Sequence, residues 1–293
     1  MVGKRQVGVA AAVLALLVGA ACGDGGSTEA GGGGTLRVSG STTVNPVAAD
    51  AAEVLRKQGL KITVDAQGGS AGGISQLAQG QVEIAMSSKP IGDADRAAFP
   101  SAEFVTTQIG SDAVGIIVRR ELYDAGVRNL TRDQLKALFE GRIRSWRELG
   151  GPDVEVFVYD KEPGRGTREV IDTYLYGSAK APPPPQSNNF AIVGGNEEGR
   201  AKVLSTTGAV TPLSTSFITG YPKLAAVAVD GVEPTPAHII DRSYAMSRPL
   251  YLVSNGPPTG AARTFVDYLV GDGGQKLVTR HGYLTLAELG ARR

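Results

Sequence analysis

The chain has 293 residues but one cysteine, Cys22, and two histidines, His238 and His281. A single cysteine cannot form an internal disulfide, so no disulfide framework supports the fold. The two histidines stand apart and show no metal-ligand spacing, which argues against a metal centre. Each reads as a surface or helix-end residue rather than a catalytic base. Aromatic residues make up only 6%, and the 30 basic side chains are nearly balanced by 29 acidic ones. Without a basic cluster interleaved with aromatics, a general nucleic-acid surface is excluded. Neither a P-loop lysine motif nor GxGxxG is present. The composition, 42% hydrophobic with 40 glycines, permits one large domain or two ordinary ones with many backbone-lined turns.

The N-terminus reads as a targeting segment. Lys4 and Arg5 give a positive start, Val7 to Val18 is an apolar run too short to span a membrane comfortably, and Gly19-Ala20-Ala21 precedes Cys22. Residues 1–21 are therefore expected to be a signal peptide. The placement of Cys22 resembles the lipobox of bacterial lipoproteins, with a lipidated mature N-terminus and an extracytoplasmic, membrane-anchored protein. An ordinary signal peptide with an incidental cysteine is the alternative, and Gly19, where a lipobox commonly has Leu, is the departure. Residues 22–34 then form a glycine-rich tether, and the folded part starts near Thr35.

From there one device recurs. The strand Leu36 to Ser39 ends in Gly40-Ser41-Thr42-Thr43 and opens a helix at Val44 to Lys57, with Pro46 in its first turn. A strand at Lys61 to Asp65 runs into Gly68-Gly69-Ser70-Ala71-Gly72-Gly73 and a helix over Ile74 to Gln79. A strand at Val82 to Met86 ends in Ser87-Ser88-Lys89. A fourth, Val154 to Tyr159, leads through Asp160-Lys161-Glu162-Pro163-Gly164-Arg165-Gly166-Thr167 into a helix. Hydroxyls and free N–H groups at a helix start make an anion site. Any one such turn reads equally as a plain capped helix, but repetition at strand ends is where open α/β sheets gather ligands. Phe104 to Ile109 and Ala113 to Val118 read as two separate strands, Thr131 to Gln134 as a capping box, Asn196 as a helix cap, and Leu250 to Val253 as the last strand.

The runs SGSTTVNPVA, GGSAGG, EIAMSSKP, NLTRDQLKALFEGRIRSWRELGGPD, GRGTRE, SRPLYLVSNG and GGQKLVTRHGYL together resemble the phosphate-binding lipoproteins of bacterial ABC importers. The resemblance implies an α/β, two-lobed periplasmic-binding-protein fold of type II, each lobe a mixed sheet flanked by helices, joined by a two-strand hinge. Lobe 1 is expected over 35–112 plus 246–293 and lobe 2 over 113–245. It implies a monomer without cofactor or enzymatic activity that captures inorganic phosphate and delivers it to an ABC permease. Carried over by position, the ligand contacts fall on Thr42, Thr43, Ser70, Ser88, Lys161, Gly164, Arg165, Gly166 and Thr167. Lys161 and Arg165 depart from the family, which usually has arginine and serine there. Arg165 either turns into the cleft to compensate for Lys161 or faces solvent and offers only its backbone. Some relatives have aspartate in place of Ser88, a hydroxyl that can accept a hydrogen bond yet repels nothing. Among the carboxylates Asp160, Glu162 and Asp112, Asp160 is expected to accept a hydrogen bond from a protonated phosphate oxygen and to repel sulfate. The alternatives are a receptor or sensor for sulfate, molybdate or another oxyanion, and, less favoured, a phosphate-ester hydrolase.

Overall fold

The structure, a computed structural model, describes residues 34–290; the expected signal peptide, Cys22 and all but the last residue of the expected tether lie outside the described residues. Ten strands are β1 (Leu36–Gly40), β2 (Ile62–Val64), β3 (Ile84–Ser87), β4 (Phe104–Arg119), β5 (Asn129–Leu130), β6 (Phe157–Lys161), β7 (Phe190–Val193), β8 (Ala209–Ser214), β9 (Leu224–Val229) and β10 (Ser247–Asn255). They join edge to edge in the order β2-β1-β3-β10-β4-β8-β6-β7, with β9 pairing β4 and β5. β1 lies parallel to β2 and β3, and β8 and β7 lie parallel to β6, as strand–helix–strand connections require. β10 and β4 run antiparallel through the middle.

The two largest of the four apolar clusters that the described residues form along this sheet mark two lobes. In the first, Val47, Ala51 and Leu55 of the helix Asn45–Lys57 pack on Val38, Met86 and Leu252, with Phe265 and Leu269 from a C-terminal helix. In the second, Val114, Ile116, Val158 and Val210 carry Leu135, Leu138 and Ile171 from helices and the fully buried Trp146. The Trp146 indole N–H donates to the Gly208 carbonyl at 2.9 Å, so its one polar atom is satisfied inside the core. The capping box at Thr131 and Gln134 is formed. Among the described residues no helix is long and apolar enough to cross a membrane.

Three elements differ from the sequence reading. Phe104–Arg119 is one strand, not two. Gly110-Ser111-Asp112 interrupts the apolar run, but the backbone stays extended because β10 pairs with its first two-thirds and β8 with the rest. The glycine-rich stretch is not a loop but the start of the helix Gly69–Ala78, entered through Gly68 and Gly69 at φ 73° and 62°. Side chains are strained at those angles, which accounts for the paired glycines. Asn196 is the first residue of its helix, with Gly195 as the cap.

Candidate functional site

Four helices begin at one point between the lobes: Asn45–Lys57 after β1, Gly69–Ala78 after β2, Gly166–Tyr176 after β6 and Asn196–Ser205 after β7. The first-turn N–H groups of each lack partners within the helix. The cavity at their meeting point is lined by Ser41, Thr42, Thr43, Gly69, Ser70 and Ser88 on one side and Lys161, Arg165, Gly166, Thr167, Gly194 and Asn196 on the other. Neither a carboxylate nor an aliphatic or aromatic side chain is among these. The cavity is small, about the room that a single water needs. Among the described residues no group of three His, Cys, Asp or Glu is placed to hold a metal ion.

The two sides meet directly. The Ala71 N–H donates to the Gly164 carbonyl at 3.0 Å, and Asn196 Nδ2 to Thr43 Oγ1 at 3.0 Å. Lys89 Nζ, held by Asp95 at 2.8 Å, reaches Glu169 at 2.9 Å. A Cβ on Gly166 would stand 2.5 Å from Ser88 Oγ and 2.8 Å from Ser70 Oγ, so only glycine permits this approach.

A buried cation behind this cavity is one the sequence reading passed over. Arg248, 2% exposed, projects from β10 and is anchored by Asp112, which accepts from its Nε at 3.1 Å and Nη2 at 2.8 Å. The same guanidinium donates to Thr43 Oγ1 at 3.1 Å, Thr167 Oγ1 at 2.9 Å and Ser88 Oγ at 3.4 Å. It therefore touches the first, third and fourth loops at once. The available signal was register: Arg248, the one charged residue of β10, and Asp112, the one acidic residue of β4, are cross-strand partners. Asn196 and Ser41 were likewise not assigned to the site.

Of the ten ligand positions expected from sequence, Thr42, Thr43, Ser70, Ser88, Lys161, Arg165, Gly166 and Thr167 come together at this cavity, while Gly164 contributes its carbonyl to Ala71 and Asp160 turns away. Asp160 is 2% exposed, accepts from its neighbour's Lys161 N–H at 2.7 Å and is ion-paired to Arg168, which also holds Asp172 at 2.7 Å and the Lys161 carbonyl at 2.9 Å. Burial raises its carboxyl to about 7 against the pull of Arg168. A carboxylate spent on Arg168 cannot face an anion, which corrects the expected role of Asp160; Glu162 and Asp112 do not line the cavity either. The Ser88 hydroxyl already accepts from Ser41 Oγ at 2.9 Å and from Arg248, so it is a donor, not the acceptor read from sequence.

Lys161 Nζ is buried and donates to the Gly195 carbonyl at 2.9 Å. Burial pulls its ammonium down to about 7, although Asp160 and Glu198 act in the opposite direction. Arg165 reaches the rim, where its Nε and Nη2 donate to Glu162 at 3.0 and 2.6 Å. Its guanidinium is therefore ion-paired within its own loop. His238 binds the Glu233 carbonyl and His281 pairs with Asp50, both away from the cavity.

Two α/β lobes with crossing strands between them, closing on a small donor-lined cavity, define a solute-binding protein of the type II periplasmic class. The chain belongs to the PBP superfamily domain family, whose model matches residues 25–273. It is 27% identical over 290 residues to the phosphate-binding protein PstS of Bacillus subtilis (strain 168), covering 95% of this chain and 93% of that one. Against PstS of Staphylococcus saprophyticus it is 29% identical over 284 residues, covering 91% and 84%. A crystal structure of a putative phosphate ABC transporter substrate-binding protein with bound phosphate from Clostridium perfringens superposes with TM-score 0.75 at 29% identity, over 86% of this chain and 99% of that one. These are the proteins the sequence motifs resemble.

Proposed function

We propose that this protein captures inorganic phosphate between its lobes outside the cytoplasm and delivers it to an ABC import permease, acting as a carrier and not as an enzyme. The observation that carries the reading is the cavity itself, lined by hydroxyls, helix-start N–H groups and Lys161, with Arg248 behind them and no carboxylate or large apolar side chain. A small multivalent anion leaves water only where such donors replace its hydration, each charge-assisted hydrogen bond contributing about 1.5 to 3 kcal/mol. The volume favours a bare tetrahedral ion over an ester, whose organic group would hold the lobes apart. The related proteins named above are phosphate-binding, which supports the choice of ion.

On this reading the lobes comprise residues 35–112 plus 246–293 and 113–245, the chain crossing between them at Asp112–Ala113 in β4 and before Ser247 at the start of β10. Residues 1–21 are the signal peptide, and lipidated Cys22 anchors a monomer to the outer face of the membrane. The ligand set is Thr42, Thr43, Ser70, Ser88, Lys161, Gly166 and Thr167, with Arg248 and Asn196 supporting it. The absence of a carboxylate from the lining favours a second reading, a receptor for sulfate or another fully deprotonated oxyanion. Calorimetric titration with phosphate, sulfate and molybdate decides between them: phosphate must bind most tightly, and stronger binding of either other ion would overturn the assignment.

A further inference from the structure

A hydroxyl has one proton to give and two lone pairs to fill, so what surrounds it dictates which way its proton points. Thr43 Oγ1 accepts from Arg248 Nη2 at 3.1 Å and from Asn196 Nδ2 at 3.0 Å. Both lone pairs are taken, and its O–H is left for the cavity. Ser88 Oγ accepts from Ser41 Oγ at 2.9 Å and from Arg248 Nη1 at 3.4 Å, so both its lone pairs are taken and its O–H turns either to the cavity or to Ser70 Oγ at 3.4 Å. Ser41 has no choice in this: its oxygen accepts the Thr43 and Val44 N–H groups at 3.2 and 3.4 Å, which sends its proton to Ser88. Across the cleft, Thr167 Oγ1 accepts from Arg248 Nη1 at 2.9 Å. Arginine carries no acceptor, so at each of these contacts the guanidinium can only donate.

We infer that Arg248 is the specificity-determining positioning residue of this site: by filling the lone pairs that Asn196 and Ser41 leave open on Thr43 and Ser88, it makes both hydroxyls donors and biases the cavity toward the unprotonated oxygens of a tetrahedral anion. The inference rests on the anion-binding reading above. It differs from a plain structural role for the Asp112–Arg248 pair, because it concerns the direction of hydroxyl protons rather than the presence of a charge.

Sulfate and monohydrogen phosphate separate the two roles. Both are tetrahedral dianions, and they differ by one proton. A site of committed donors meets every sulfate oxygen well but gives the phosphate O–H no acceptor at Thr43 or Ser88. Replacing the pair together, Arg248→Met with Asp112→Leu, removes both charges without stranding either one, a change that buried pairs commonly tolerate. It frees a lone pair on each of the three hydroxyls.

The measurement is the ratio of phosphate to sulfate affinity by calorimetry at mildly alkaline pH, for the parent and the double variant in the full chain. The ratio should rise about tenfold in the double variant, the scale of one hydrogen bond regained by the protonated ligand. Asn196→Ala, which frees one Thr43 lone pair without touching a charge, should move it a smaller step in the same direction and serves if the double variant does not fold. Thr167→Val deletes a donor and should weaken both anions equally. An unchanged ratio in the double variant and in Asn196→Ala, with both affinities falling together, would reduce Arg248 to a structural residue while leaving the phosphate assignment intact. A parent that binds neither anion overturns both.

Discussion

Replacing Asp112 by asparagine keeps the shape of the residue and one acceptor oxygen but removes the counter-ion of a fully buried guanidinium. Arg248 and Asp112 have side chains only 1% exposed, joined through two N–H···O contacts of 3.1 and 2.8 Å to one carboxylate oxygen. Breaking such a pair from one end costs about 3 to 5 kcal/mol, and the oxygen that remains places asparagine near the lower figure. Binding should change the other way. Asp112 lies one guanidinium behind the anion, and removing its charge relieves repulsion on the order of 2 kcal/mol at an effective dielectric of about 20. Urea melts with and without saturating phosphate measure both effects, with a lower midpoint at unchanged slope reporting stability alone. The ligand-free variant should lose about 3 kcal/mol and the phosphate-bound variant only about 1. Calorimetry should show tighter phosphate binding. An unmoved ligand-free midpoint, or phosphate binding that weakens, would refute the view that Asp112 balances Arg248 beneath the anion.

Lys161 links binding to pH. Its folded-state value of about 7 lies below the ordinary 10.5, so the unfolded chain holds more protons between them and ligand-free stability rises with pH across that window. An anion beside it restores the proton, so affinity falls as pH rises through 7 and binding takes up protons. Calorimetry in buffers of different ionisation enthalpy should show that uptake and its loss in Lys161→Met. Gly166→Ala puts a methyl against Ser88 and Ser70 and should weaken phosphate about 10- to 100-fold with an unchanged circular dichroism spectrum; near-parent affinity would show that the lobes need not meet there. Arg165→Ser breaks only a rim pair with Glu162, so affinity should change by less than about 0.5 kcal/mol, without coupling to Lys161→Arg in a double-mutant cycle. Cys22→Ser should release the protein from the membrane fraction or leave it as uncleaved precursor, and normal processing with unchanged fractionation would count against lipidation.

The loops of this site were legible because each announces itself: an apolar strand that stops at glycine and hydroxyl residues is visible in a short window of sequence. Within those loops, Thr43, Ser70, Ser88 and Thr167 are singled out by the resemblance to the phosphate-binding lipoproteins rather than by the loops alone. Arg248 could not be named that way, since it lies inside a strand and only the cross-strand register with Asp112 gives it a role. The direction of the Ser88 hydroxyl was hidden for the same reason, because Ser41 and Arg248 are 47 and 160 residues away in the chain. Asp160 misled because nearness in sequence to Lys161 suggested nearness to the ligand. Alternation along β6 sends the two side chains to opposite faces, and Arg168 claims the carboxylate. Reading Phe104–Arg119 as two strands was a local error with the same origin: its polar middle is apolar in neither lobe because it passes between them.

The bonds across the cleft belong to the protein rather than to its cargo. Ala71 to Gly164, Asn196 to Thr43, Arg248 to Thr167 and Lys89 to Glu169 must all give way before an oxygen in the cavity can reach water. Release is then timed by the clasp. Tightening the grip on the ion lengthens its stay only when the ion lets go more slowly than the lobes part, and otherwise the clasp alone sets the residence time. A permease that pries Lys89 from Glu169 would shorten that wait without touching the ion.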